Sequence, residues 1–213
     1  MPTIPIIATR PGPPGNRANA TRERILRAAE RLFADDGFDR VTLRQIARAS
    51  EQRNVAAVQY HFGSKDGLLA AIVDRHRSQI DEERRALLAS SEANGHHPDL
   101  AEYLNILLEP LCRKLDNPSG RAYLRIQAEG LHNEAMRPAT KSVISRIGRI
   151  IGGLDRPKPT PYLDRFATLL LFHALADRAR QEEVGSATRG DRSAFVVALS
   201  QSLIGLLRQS VAT

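Results

Sequence analysis

The chain has 213 residues, 42% of them hydrophobic, and carries 31 Lys plus Arg against 24 Asp plus Glu for a net charge of +7. That apolar content can build a packed core, so a wholly disordered chain is excluded. The single cysteine, Cys112, excludes an intrachain disulfide and any Cys-based zinc site, and no charge-free apolar run is long enough to cross a membrane.

The N-terminal stretch, residues 1–20, is proline-rich, with Gly and Asn besides. It is expected to be a disordered arm, and its short apolar run is too brief for a secretory signal. A soluble, cytoplasmic protein without membrane association is the expectation. From Thr21 onward the helical period dominates: Ile25, Ala28, Ala29, Leu32 and Phe33 line one face, with Thr21 as N-cap and Gly37 as terminator. No alternating apolar run bounded by turn signals appears, so the fold class is all-α.

The second helix has a full start signal. Thr42 is the N-cap and Gln45 the N3 residue of a capping box, while Val41 and Ile46 stand where a hydrophobic staple would form. The stripe stops near Ser50, because Glu51-Gln52-Arg53-Asn54 has no apolar member. Asn54 is then a suitable N-cap for a short helix ending at Tyr60. Ser64 caps a long fourth helix whose inner face would be Leu69, Ile72, Val73, His76 and Ile80.

Further helical segments follow, separated by breakers. Asn94-Gly95-His96-His97-Pro98 is a loop, and Pro110 must end or kink the helix from Asp99 to Leu115. Asn117-Pro118-Ser119-Gly120 reads as another break before a helix through Leu131. A helix from about Glu134 to Ile151, a proline-rich connector at 156–161, and helices at 162–183 and 192–211 complete the chain.

Residues 1–66 hold 11 basic and 7 acidic side chains, a concentrated excess that suggests a polyanionic partner. Within that segment two short helices joined by a polar turn form a helix-turn-helix pattern, with the second helix placed for the major groove. Gln59 can pair with an adenine edge, and Val55, Ala56 or Ala57 can meet a thymine methyl. Tyr60, His61 and Lys65 would flank the groove near phosphates, although Tyr60, His61 and Phe62 could equally be core and turn residues. Lys65 in a first helical turn runs against the helix dipole, which favours an anion nearby.

Residues 21–72 resemble the DNA-binding region of the tetracycline-repressor (TetR) family. The resemblance lies in ILRAAERLFADDGFDRVTLRQIARAS and NVAAVQYHFGSKDGLLAAI, about a quarter of the chain. It implies DNA-backbone contacts by Thr42, Arg44, Tyr60, His61 and Lys65, and base reading by Val55, Ala56, Ala57 and Gln59. The turn carries no Gly where the family usually has one and looks one residue longer than common, so Arg53 and Asn54 could also reach DNA. The resemblance further implies a helix-turn-helix domain at 21–66 and a helical effector-binding and dimerisation domain at 67–213.

The expected function is therefore a homodimeric, ligand-responsive regulator, most simply a repressor, bound to a palindromic double-stranded DNA operator. A ligand-independent DNA-binding protein and an all-α enzyme or scaffold are the alternatives. The last two helices supply the dimer interface, through Phe166, Leu169, Leu170 and Leu175 in one and Phe195, Leu199, Leu203 and Leu206 in the other. A mostly apolar effector would enter a pocket walled by Leu104, Leu107, Leu108, Leu111, Tyr123, Ile126, Phe166 and Leu170. Gln127, His132 and His173 would be its polar anchors. Cys112 lies on an apolar helical pattern as an inert thiol. No metal-ligand spacing, nucleophile motif or phosphate-cradling loop is present, so neither an enzyme nor a cofactor is expected.

Overall fold

Capping chemistry sets most of the helix boundaries. The computed structural model describes residues 14–93, 98–129, 137–152 and 161–209, and among these all regular structure is helical, without a strand. Helix α1 runs Pro14–Asp36 and ends at Gly37, whose φ of +82° no L side chain adopts cheaply. It starts before Thr21, which is therefore not its N-cap, because Pro14 can open a helix and nothing from 15 to 20 stops one. The expected arm is thus helical over 14–20, and residues 1–13 lie outside the described residues.

Helix α2, Leu43–Ala49, begins with the capping box read from sequence: Thr42 Oγ1 accepts from Gln45 N at 3.3 Å, and Thr42 N donates to Gln45 Oε1 at 2.8 Å. Helix α3, Ala56–Phe62, starts one residue later than expected. Asn54 is not its N-cap; Val55 occupies that position without a side-chain cap. Helix α4, Lys65–Glu92, is capped by Ser64, which accepts from Gly67 N at 3.0 Å. Its inner face includes Leu69, Ile72, Val73, His76 and Ile80, as the periodicity predicts.

Helix α5, Leu100–Arg113, opens on an Asp99–Glu102 capping box and passes through Pro110 to a 3-10 turn at Lys114–Asp116. Pro110 does not end it. Helix α6, Pro118–Ala128, starts inside the segment that reads as a break. Asn117 is its N-cap, accepting from Gly120 N at 2.8 Å, and Pro118 supplies the first turn, where a missing N–H costs nothing. A Cβ on Gly120 would lie 2.1 Å from the Lys114 carbonyl oxygen, so only glycine lets α6 press on that turn. Helices α7 (Pro138–Gly152), α8 (Pro161–Glu183) and α9 (Arg192–Gln209) follow, near the expected spans.

One apolar cluster joins α1 to α6, α8 and α9, with Ile25, Phe33, Ile46, Val58, Ile72, Leu108, Leu124 and Leu175 buried in it. A second joins the end of α4 to α5 and α7 through Leu88, Leu104, Ile106, Val143 and Ile147. Because α1 packs on both α4 and α6, the first three helices share a core with the rest of the chain.

Candidate DNA interface

Helix α2 ends in a Schellman turn. Gln52 N donates to the Ala47 carbonyl at 2.8 Å and Glu51 N to that of Arg48 at 3.1 Å, which places Glu51 at the left-handed C′ position with φ +59°. The glycine usual in this turn is replaced by a glutamate in glycine's conformation. Such backbone costs a non-glycine residue about 1–2 kcal/mol. Ser50 Oγ closes the same end by donating to the Ile46 carbonyl at 2.8 Å. The turn then crosses exposed Arg53 and Asn54 before α3 begins.

Helix α3 is held by its inner face. Val58 is buried, Val55 and Phe62 pack against the core, and Gly63 ends the helix at φ +72°. The opposite face carries Ala56, Gln59 and Tyr60, all exposed. Tyr60 is 85% exposed, with its ring edge-on to His61 at 5.2 Å. A core or turn role for Tyr60 is therefore wrong. Phe62, by contrast, is a half-buried packing residue with the Arg22 guanidinium 5.1 Å from its ring centre. Ala57 and His61 are half-buried at the flanks of the exposed face.

Arg44 on α2 is exposed beside that face in sequence, and so is Arg48 one turn on, which the sequence reading missed although the i, i+4 spacing could have found it. Thr42 is exposed, and its hydroxyl is engaged with Gln45 Oε1 at 2.8 Å. Lys65 departs from expectation. Its ammonium donates to the carbonyls of Phe38 at 2.9 Å and Val41 at 3.1 Å, and lies 4.2 Å from the Phe38 ring centre. It ties down the α1–α2 turn, with carbonyl dipoles and an aromatic face around its charge.

The described residues expected to wall an effector pocket divide into a buried set and an exposed set. Leu104, Leu108, Leu111, Tyr123 and Ile126 are buried in the two apolar clusters, and half-buried Leu107 packs at the edge of the second. Gln127 is buried with Nε2 unpartnered. Phe166, Leu170 and His173 are exposed on α8, and His132 lies outside the described residues. The reason is that α5 packs on α4, α7 and α9 while α6 packs on α1 and α8, contacts between remote segments that sequence periodicity does not specify. Cys112 is half-buried and burial pushes its thiol up to about 11, so it is no nucleophile at neutral pH.

A buried polar node joins α1, α4 and α6. The Glu30 carboxylate, 2% exposed, accepts from Ser119 Oγ at 2.5 Å and Arg75 at 3.1 Å, and pairs with His76 Nε2 at 2.6 Å. His76 stacks on Tyr123 at 4.5 Å. Burial pushes the His76 imidazole below its ordinary range against the pull of Glu30, so it is neutral and donates to the carboxylate. Burial works to raise Glu30, but hydrogen bonds from His76 and Ser119 outweigh it and hold the carboxyl low.

Residues 25–72 match the family model described as bacterial regulatory proteins, tetR family. The chain is 25% identical over 125 residues to the transcriptional repressor AcnR of Corynebacterium glutamicum, covering 58% of this chain and 65% of that protein. It is 33% identical over 100 residues to an HTH-type transcriptional repressor of Mycobacterium tuberculosis, covering 46% and 52%. It therefore spans about half to two thirds of the length of these curated relatives. The fold is similar to that of a TetR family transcription regulator from Marinobacter aquaeolei VT8, with a TM-score of 0.52 at 19% identity over 92% of this chain and 98% of that one. These relatives are regulators and not enzymes, which agrees with the sequence expectation. The matched segment, residues 25–72, runs from α1 into α4 around an outward-facing α3, and over that segment the chain is similar to the tetR family of bacterial regulatory proteins.

Proposed function

We propose that the protein is a homodimeric transcriptional repressor that binds a palindromic operator through α3 and is released by a small-molecule effector. The observation that carries this reading is the exposed row Ala56, Gln59 and Tyr60 on a helix whose other side is anchored by Val58. A large aromatic left in water beside an amide and a small residue suits a groove, where the amide reads a base edge and the phenol reaches a phosphate. Arg44, Arg48 and Arg53 supply positive charge on the preceding helix and turn. The repressor names of the curated relatives support the sign of regulation.

The partner for symmetry is a second copy. Phe166, Leu169 and Leu170 on α8 and Val197 on α9 are exposed apolar side chains, and a two-fold pairing of these helices would cover them. That pairing would set two α3 helices about 34–36 Å apart, one turn of the duplex. The test is fluorescence anisotropy on DNA from the region upstream of the protein's own gene. Two protomers should bind one site, and Gln59→Ala should weaken specific binding by about 1–3 kcal/mol while binding to random DNA holds. Equal loss on specific and random DNA would overturn the base-reading role.

A further inference from the structure

A cleft of about 1100 Å³ opens between α1, α4, the Lys114 turn and the start of α6, and reaches Ser50 and Glu51 at the end of α2. It lies outside the apolar core, and its lining is dominated by charge. Its carboxylates are already matched within the protein. Glu30 is held by His76, Arg75 and Ser119; Glu23 pairs with Arg75 at 3.3 Å and Glu51 with Arg24 at 3.8 Å. Asp35 and Glu183 both pair with Arg125, at 2.9 and 3.1 Å.

Three cations of the lining remain without a carboxylate in contact among the described residues. Arg27 and Arg31 stand one turn apart on α1, both exposed. Lys114 faces them from the α5–α6 turn; it is 7% exposed and donates to the neutral Gln79 Oε1 at 2.8 Å. Burial dominates at this ammonium despite the longer-range pull of Glu83 and Glu30, and an incoming anion would offset that desolvation cost. The guanidinium pair on the opposite wall offers forked donors suited to carboxylate or phosphate oxygens.

We propose that this cleft binds a small organic polyanion, a phosphate ester or a di- or tricarboxylate, held between Arg27 and Arg31 on one wall and Lys114 on the other. The ligand would bridge the helix that carries the DNA-binding unit and the turn that opens the body of the protein. It would thereby fix the angle of α1, and with it that of α3. This regulatory consequence rests on the operator-binding reading above, whereas the binding itself does not.

The two are separated by titrating the full chain without DNA. Isothermal calorimetry with inorganic pyrophosphate in one arm and propane-1,2,3-tricarboxylate in the other, at about 150 mM salt, distinguishes the two anion classes. One probe should bind saturably at one site per chain. The double variant Arg27→Gln/Arg31→Gln, in exposed positions that leave the core untouched, should weaken it at least tenfold, and Lys114→Gln should do the same. Arg149→Gln, on the exposed side of α7, should bind as the unaltered protein does. Absence of saturable binding in both arms, or loss as large in Arg149→Gln as in the double variant, would overturn the proposal. Failure of operator binding alone would leave the cleft assignment standing.

Discussion

Two buried polar nodes sit on α4 eight residues apart, about two turns, and they differ in kind. At His76 the node reaches back to Glu30 of α1 and across to Ser119 of α6. At Arg84 it reaches forward: the guanidinium donates to the Leu107 carbonyl at 2.6 Å and to Thr140 Oγ1 at 2.7 Å, while Asp81 accepts from Thr140 N at 2.9 Å and so caps the start of α7. The second node is a buried guanidinium and a buried carboxylate that share Thr140 as a hydrogen-bond partner. Burial pushes Arg84 down to about 10, against the pull of Tyr123 and Asp81, so it is charged throughout the neutral range. The first node contains an imidazole that burial holds below its ordinary range, and it lies where α1, α4 and α6 meet. The lesson is positional: the fixed charge ties α4 to α5 and α7, and the titratable group ties it to α1 and α6.

The comparison can be broken most severely at Arg84. Replacing it with Ala removes the donor that the Leu107 carbonyl and Thr140 Oγ1 share and leaves the buried Asp81 without a compensating charge nearby other than Arg85. The expected loss is about 3–5 kcal/mol, read as a lower urea midpoint. A loss below about 1 kcal/mol would show that the body node holds nothing in place.

Glu30→Gln keeps the shape of the joint but removes the charge that His76, Arg75 and Ser119 converge on, and should cost about 1–3 kcal/mol at pH 7. The pH dependence sharpens the contrast. His76 is held below its ordinary value of 6.5, so under that pH the unfolded chain takes up a proton that the folded one resists, and stability falls on acidification. Glu30 is held below its ordinary value of 4.5, so its contribution is present above that value and is lost as pH falls through the folded one. Urea titrations from pH 7.5 to 4 should show a decline that starts near 6.5 and is absent in His76→Gln. An unchanged decline in that variant would move the titrating group elsewhere.

The smallest effect concerns the turn that the cleft touches. Glu51→Gly relieves a left-handed backbone at the cost of a freer unfolded chain, for a net gain of about 0.5–1 kcal/mol. Thermal unfolding would record it as a rise of a few degrees or less. A destabilised Glu51→Gly would mean that the Arg24 pair, not the backbone, governs the turn.

Local rules carried the reading furthest where the cause is local. The all-α class, the Thr42–Gln45 box, Ser64 as a cap and the inner face of α4 follow from side chains within four residues of one another, and the structure repeats them. What the sequence could not decide depends on groups distant along the chain. Lys65 looks like a free surface cation until the fold places Phe38 and Val41 beneath its ammonium. Asn54 has the chemistry of a cap, but after the Schellman turn through Glu51 α3 starts one residue later, with Val55 at the cap position. The apolar stripe of α5 marks a buried face without saying whether a neighbour fills the space or leaves it open, and here α4, α7 and α9 pack on that helix. Periodicity encodes direction and capping encodes ends, both set by short-range geometry. Cavities, buried pairs such as Glu30 with His76, and the unmatched cations at the domain joint exist only once packing brings remote side chains together.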